Sequence, residues 1–386
     1  MILSLSVAAC APSLARIPLP ASELNQASVV GAPEQPGNAI RIWGDERPAW
    51  ADEFLSASDA DMKTNFPAVY GRPHTYLALS GGGKNGAYGA GLLAGWTAAG
   101  NRPEFTMVTG VSTGSLIAPF AFLGPAYDRQ LTEIYTKYST EDLITRRGLI
   151  ATVKQASVVD VTPMKQLIAQ YVDANVAAAI AAEHRGGRRL FIGTTNLDAS
   201  RPVMWNVGAI ANSSDPQSLE LIHEILLASA SIPGVFPPVL IKVSAGGKSY
   251  DELHVDGGTT NQVFVYPAGI KWNEVLKKLR VPGKPDLYVV RNASLDPTYD
   301  PVDPKLLPIA GRSITSLIRT QGIGDMYRIY LNAQRDGLRY RLAYIPEEFN
   351  VESEEAFDLT YMRKLFELGY EQGKAGTAWK SSPPSL

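Results

Sequence analysis

Ser112 is framed by glycines in Gly110-Val111-Ser112-Thr113-Gly114. A GxSxG pentapeptide between an apolar strand and a helix is a nucleophile elbow: the serine takes strained backbone angles that small neighbours leave room for. Its hydroxyl then stands at a helix N-terminus, where the macrodipole and the amide of Thr113 favour a developing negative charge, as acyl transfer requires. The pentapeptide alone is equally compatible with a tight structural turn. A serine hydroxyl also needs a base, and the histidines constrain which. There are four, His74, His184, His223 and His254. A triad in the order serine, acid, late histidine needs a histidine that residues 255–386 lack. His254 precedes Asp256 by two residues, on the same side of a strand, where it could flank the site; the plainer reading is a histidine partly buried at a strand end. His184, in a charged helix end, and His223, in an amphipathic helix, read as surface residues. The remaining base candidate is a carboxylate. Asp256-Gly257-Gly258 closes a short strand, and its glycines turn the chain away and leave the carboxylate uncovered. The plain alternative is an Asp-Gly turn joining two strands.

A third element is Ser80-Gly81-Gly82-Gly83-Lys84-Asn85-Gly86, between a strand and a helix. Consecutive glycines leave backbone N–H groups bare, able to cradle a phosphate or an oxyanion. The P-loop spacing is absent, because the lysine follows the glycines at once and is followed by asparagine. Gly81, Gly83 and Gly86 meet the GxGxxG spacing. Yet Glu104, the nearest acid about 20 residues on, has no strand end to present it to a ribose, and an elbow so soon afterwards has no place in a dinucleotide fold. No nucleotide partner is expected.

In this order, the glycine loop, the elbow and the Asp256 turn resemble the patatin-like phospholipases. The stretch Ala228-Ser229-Ala230-Ser231-Ile232-Pro233-Gly234-Val235-Phe236-Pro237-Pro238 is similar to that family's segment between elbow and aspartate, and Arg201-Pro202-Val203-Met204-Trp205 resembles another of its landmarks. The resemblance covers roughly residues 73–375. It implies a three-layer α/β/α sandwich with a central, mostly parallel sheet. It implies a Ser-Asp dyad without histidine: Ser112 attacks the acyl carbonyl and Asp256 accepts its proton. An oxyanion hole is built from Gly81, Gly82, Gly83, Gly86 and Thr113, with the amides of Gly82, Gly83 and Thr113 as donors. The substrate it implies is a lipid or phospholipid at a membrane or micelle surface, with no metal or cofactor. One departure is visible. The family has Arg or Lys immediately before the last glycine of the loop, whereas this chain has Asn85 there and Lys84 one place earlier; Lys84 is expected to supply the charge to a head group. Asp256, buried beside the elbow, is expected to have its pKa raised above the usual value of about 4.

These residues need elements to hold them. From Thr75 onward, short apolar runs alternate with helical patterns, the texture of a sheet with helices on its faces. Strands are expected at Thr75–Ser80, Phe105–Gly110, Leu190–Gly193 and Leu287–Val290. Helices are expected up to Gly100 and from Ser115. Others should open at Thr162-Pro163 and Asp215-Pro216, each an N-cap with proline behind it, and late ones over 313–335 and 360–373. The catalytic domain is therefore placed at 73–376, with a linker and irregular lead-in over 11–72, onto which Trp43 and Trp50 suggest docking, and a tail over 377–386. Pro119–Leu123 and Val235–Leu240 are candidates to line an acyl channel, with ordinary core as the plainer reading.

Composition is that of a globular protein: 45% hydrophobic, 19% charged, over 386 residues. The 36 basic and 38 acidic side chains nearly cancel, so no overall field draws the chain to nucleic acid, and membrane contact must be local. The single cysteine, Cys10, excludes an internal disulfide and a cysteine zinc cluster. It follows Val7-Ala8-Ala9 in an apolar run that resembles the end of a bacterial lipoprotein signal, with residues 1–10 as the signal, although no positive charge precedes it. That reading places the chain in a cell envelope, lipid-anchored through Cys10, secreted or periplasmic. The expected activity is hydrolysis of lipid acyl esters. A lipid acyltransferase with the same dyad and a non-catalytic lipid-binding surface protein are the alternatives.

Overall fold

The computed structural model describes residues 15–32, 39–146, 159–267, 269–297, 299 and 301–384. Cys10 and its apolar run lie outside the described residues. The centre of the fold is five parallel strands in the spatial order Arg339–Tyr344, Asp286–Arg291, Thr75–Leu79, Met107–Val111 and Arg189–Asn196. Antiparallel strands extend it: Lys248–Asp256 and Val239–Ala245 on one path, and Arg201–Asn206 as a hairpin partner of Arg189–Asn196.

The alternation of side chains makes this the middle layer. Leu77 and Leu79 face a core shared with Leu92, Trp96, Phe120 and Phe366, beneath the helices Gly86–Ala98, Thr113–Leu123 and Leu359–Ala375. Tyr76 and Ala78 point the other way, into a core with Val289, Met326 and Ile329 under the helix Leu306–Asp336. A period of two along a strand with both sets buried requires helices on both faces. The chain is a three-layer α/β/α sandwich.

Residues 15–32 and 39–72 depart from the expected irregular lead-in. Ser28–Val29 pairs with Val239–Ala245, and Arg41–Trp43 pairs with Arg201–Asn206, so two short strands of this segment belong to the sheet. Two helices follow, Ala51–Ser56 and Asp59–Asn65. Such two- and three-residue strands are too short to show a period of their own; the sheet edge they join supplies the pairing. The tail also docks: Lys380 bridges to Leu342, and Trp379 packs on Trp96 and Tyr288. At Asp215-Pro216 the helix starts later, at Ser218, because the Asp215 carboxylate accepts the Gln217 N–H in a turn. Thr162 is the first residue of its helix and Val161 its N-cap; the Asp160 carboxylate accepts from the Thr162 N–H and hydroxyl.

Candidate active site

The elbow strand Met107–Val111 is buried throughout, and the chain reverses at Ser112 with φ 54° and ψ −127° into the helix Thr113–Leu123. That backbone is rare for any residue but glycine and costs on the order of 1–3 kcal/mol, tolerated only where the surroundings over-determine it. The surroundings do so here. The Ser112 N–H donates to Ser229 Oγ at 3.0 Å, and Ser229 Oγ donates to the Gly193 carbonyl at 2.7 Å. Gly114 passes so close to the neighbouring strand that a Cβ there would lie 2.3 Å from the Leu79 carbonyl oxygen.

Register brings Asp256 to the elbow. The strand Arg189–Asn196 has the hairpin partner Arg201–Asn206 along one edge. Its other edge is shared: the elbow strand runs parallel to it as far as Val111 opposite Gly193, and Lys248–Asp256 runs antiparallel to it, ending with Asp256 opposite Thr194. The two strands therefore end head to head, one residue apart, and both turn out of the sheet there. The Asp256 N–H donates to the Ser231 carbonyl at 2.9 Å, so Ala228–Ser231 stitches both ends together.

The Asp256 carboxyl is buried and within hydrogen-bonding reach of the Ser112 side chain; Asp256 Oδ1 also accepts the Gly258 N–H at 2.7 Å. Burial pushes its pKa up to about 7, against the opposing pull of those two hydrogen bonds. The expected rise is present.

The glycine loop lies on the other side of the serine. Gly82 packs so tightly that a Cβ would sit 2.0 Å from the Asn292 carbonyl oxygen, and Gly83 has φ +56°. Among the described residues the N–H groups of Gly82, Gly83 and Thr113 have no hydrogen-bond acceptor. Two members of the expected oxyanion hole do not donate. The Gly81 N–H is held by the Gln262 carbonyl at 3.1 Å, and the Gly86 N–H bonds back to Gly83 inside the turn. Gly86 acts by its lack of a side chain instead, since a Cβ would meet Thr113 Oγ1 at 2.1 Å.

Lys84 departs from its expected role. Its ammonium bonds Ser353 Oγ and, at 3.1 Å, the Glu355 carbonyl, and it lies over the Tyr361 ring, whose hydroxyl donates to Asn85. The charge is spent on the chain's own 353–361 segment, so it is not held ready for a head group.

Both ring nitrogens of His254 are engaged, Nδ1 with Thr194 Oγ1 at 2.9 Å and Nε2 with Glu252 at 3.1 Å, and burial pushes its pKa down. Its strand position matches expectation, but its ring is turned to the interior network. His184 and His223 are buried, contrary to the surface reading. His223 Nε2 meets the Val172 carbonyl at 2.7 Å, and burial, with Arg189 and Arg185 nearby, pushes His184 down to about 3. His74 is also buried, against Tyr76 and the Val69 carbonyl.

Beside Ser112 opens an apolar cavity of about 80 Å³, walled by Leu116, Phe120, Met164, Leu226, Phe236 and Phe357. Of the two stretches considered as channel lining, each contributes a phenylalanine, while Phe122 is ordinary core.

A family model described as patatin-like phospholipase matches residues 77–268, the stretch that holds all three motifs. This stretch is a patatin-like phospholipase domain. The family implies a lipid hydrolase. No curated protein matches the chain. Among solved structures, VipD from Legionella pneumophila is similar at 11% identity with a TM-score of 0.34, over 78% of this chain and 66% of VipD's own length.

The patatin-like domain also uses residues that carry no chemistry of their own in sequence. Gln262 joins two motifs: its carbonyl takes the Gly81 N–H and its side-chain amide donates to the Gly258 carbonyl at 2.7 Å. Its own N–H donates to Asp325 at 2.7 Å, and Arg291 reaches both Gly81 and Gln262. Asn292 accepts from Gly89 and donates to Ser80. Ser229 and Ser231 fall within a stretch that the sequence singled out, whereas Gln262, Asn292 and Asp325 sit in no pattern that would have marked them.

Proposed function

We propose that the chain hydrolyses lipid acyl esters through a Ser112–Asp256 dyad. The observation that carries this reading is the pairing of a strained, buried serine with a carboxyl whose pKa lies near 7, beside an apolar cavity. At neutral pH such a carboxylate is basic enough to take a hydroxyl proton while a large fraction of it stays ionised. Ser112 Oγ bonds to the acyl carbon as its proton passes to Asp256. The carbonyl π electrons move to oxygen, where the N–H groups of Gly82, Gly83 and Thr113 stabilise the charge. Collapse expels the alcohol, which takes the proton from Asp256. Water then attacks the acyl-enzyme, gives its proton to Asp256, and releases the fatty acid as Ser112 recovers its proton. The apolar cavity would receive the acyl chain.

The test is hydrolysis of p-nitrophenyl esters of graded chain length and of a labelled phospholipid by the wild type, Ser112→Ala and Asp256→Asn. Both variants should lose activity by about 10³-fold or more, because the pair acts as a unit. Activity retained in Asp256→Asn would return the base to another residue and end the dyad reading.

A further inference from the structure

The helix Leu306–Asp336 has two dissimilar halves. Its second half is built into the fold, with Met326, Ile329 and Ala333 in the core under the sheet. At its midpoint it grips the site's own supports: Gln321 donates to the Thr260 carbonyl, Asp325 accepts from the Gln262 N–H, and Arg319 donates to the Leu295 carbonyl. Those partners follow directly on Asp256 and Arg291, at the end of the sheet where Ser112 is presented. The first half continues outward from that end.

There the burial logic is inverted. Leu306, Ile309, Ile314 and Leu317 are 82, 49, 51 and 70% exposed, and Tyr299 just ahead of the helix is 91% exposed. Leu306, Ala310, Ile314 and Leu317 are spaced by three and four, with Ile309 alongside, so they form one stripe of the helix. Lys305, Arg312 and Arg319 recur every seven residues on another face, where Lys305 pairs with Asp303 and Arg319 is held by the Leu295 carbonyl. No carboxylate occurs between Asp303 and Asp325. A soluble helix normally turns its apolar stripe to the core; one that presents it outward and free of acids has the make-up of a helix that lies in a lipid interface.

We propose that residues 306–318 are an interfacial anchor that seats the active-site end of the molecule on a lipid surface. Three observations select lipid over a protein partner. The apolar side chains stand on a projecting, convex half-helix, which sinks into a fluid surface without a matching groove. Inserting them carries no carboxylate out of water. And the anchor stands at the end of the sheet where a water-insoluble ester would have to enter. The choice of lipid rests on the hydrolase reading; the exposed surface does not.

The decisive measurement uses Ser112→Ala protein and vesicles of ether-linked phosphatidylcholine and ether-linked phosphatidylglycerol, which contain no acyl ester to cleave. Flotation is compared with and without Leu306→Gln, Ile309→Gln, Ile314→Gln and Leu317→Gln. Burial of four such side chains to even part of their depth predicts partitioning weaker by about 10²-fold in the glutamine variant. A Leu317→Trp reporter should shift its emission to shorter wavelength on the same vesicles. With Ser112 intact, the glutamine variant should hydrolyse a soluble butyrate ester at the wild-type rate and vesicle substrate more slowly. Equal flotation, an unshifted emission from the Leu317→Trp reporter, or a wild-type dimer in sedimentation that the glutamine variant dissolves would each overturn the anchor. Vesicle binding by a protein that leaves the butyrate ester intact would instead overturn the hydrolase reading and leave the anchor standing.

Discussion

At the scale of single residues, the proposed dyad turns on one carboxyl held near neutrality. A base must be ionised to accept a proton, so kcat/KM on a soluble ester should rise with pH along an acid limb centred on about 7. A limb near 4 would mean that Asp256 is not desolvated. The same burial has a stability consequence. In the unfolded chain Asp256 ionises near its ordinary value of about 4, while in the folded chain it holds its proton to about 7. Between those values the native state binds more protons, so stability falls as pH rises through the window, and above it the wild type carries the whole cost. Asp256→Asn lacks that cost. It should melt higher than the wild type at about pH 8.5, by on the order of 2–4 kcal/mol, with much of the advantage gone at about pH 4. Denaturant titrations at both pH values check this; an advantage independent of pH would contradict the raised pKa.

At the scale of elements, the glycine loop is held by the helix behind it. Gly86–Ala98 packs against Leu359–Ala375 at backbone distance, with glycines four apart on both partners. A Cβ on Gly91 or Gly95 would lie 2.0 or 1.9 Å from the carbonyl oxygen of Phe366 or Tyr370, and Gly369 and Gly373 meet Tyr88 and Leu92 in the same way. The small residues of this helix are what lets the helices touch. Gly95→Ala should cost at least about 1–3 kcal/mol through overpacking. Gly324→Ala, in an exposed helical position with nothing within 4 Å, should instead stabilise by about 0.5–1 kcal/mol. Thermal denaturation of the two variants, chemically identical and opposite in sign, separates contact from propensity.

At the scale of the whole molecule, the lead-in segment is bound to the catalytic core by a buried charge. Arg41 lies 2.6 Å from Glu252, with side chains 10% and 1% exposed, and Glu252 holds His254, which meets Thr194, the register partner of Asp256. Arg41→Ala would leave Glu252 buried beside a histidine with its cation gone, a loss of about 3–5 kcal/mol. Adding Glu252→Gln should recover part of it. Chemical denaturation of the single and double variants measures the difference; equal midpoints for Arg41→Ala and the wild type would show the pair to be unimportant.

The sequence by itself marked the candidate nucleophile, the candidate base and the glycine loop, because these depend on local backbone chemistry: a serine between glycines after a strand, an aspartate before two glycines, bare amides at a helix start. It carried the layered fold for the same reason, through apolar runs whose period is local. Tertiary structure alone decided which loop amides remain free, since Gly81 is claimed by Gln262 from 181 residues away in the chain. It also decided that Lys84 serves the 353–361 segment, that His184 and His223 are interior, and that two short lead-in strands complete the sheet. Each of these depends on a partner brought near by register and packing, and no local pattern records a distant partner.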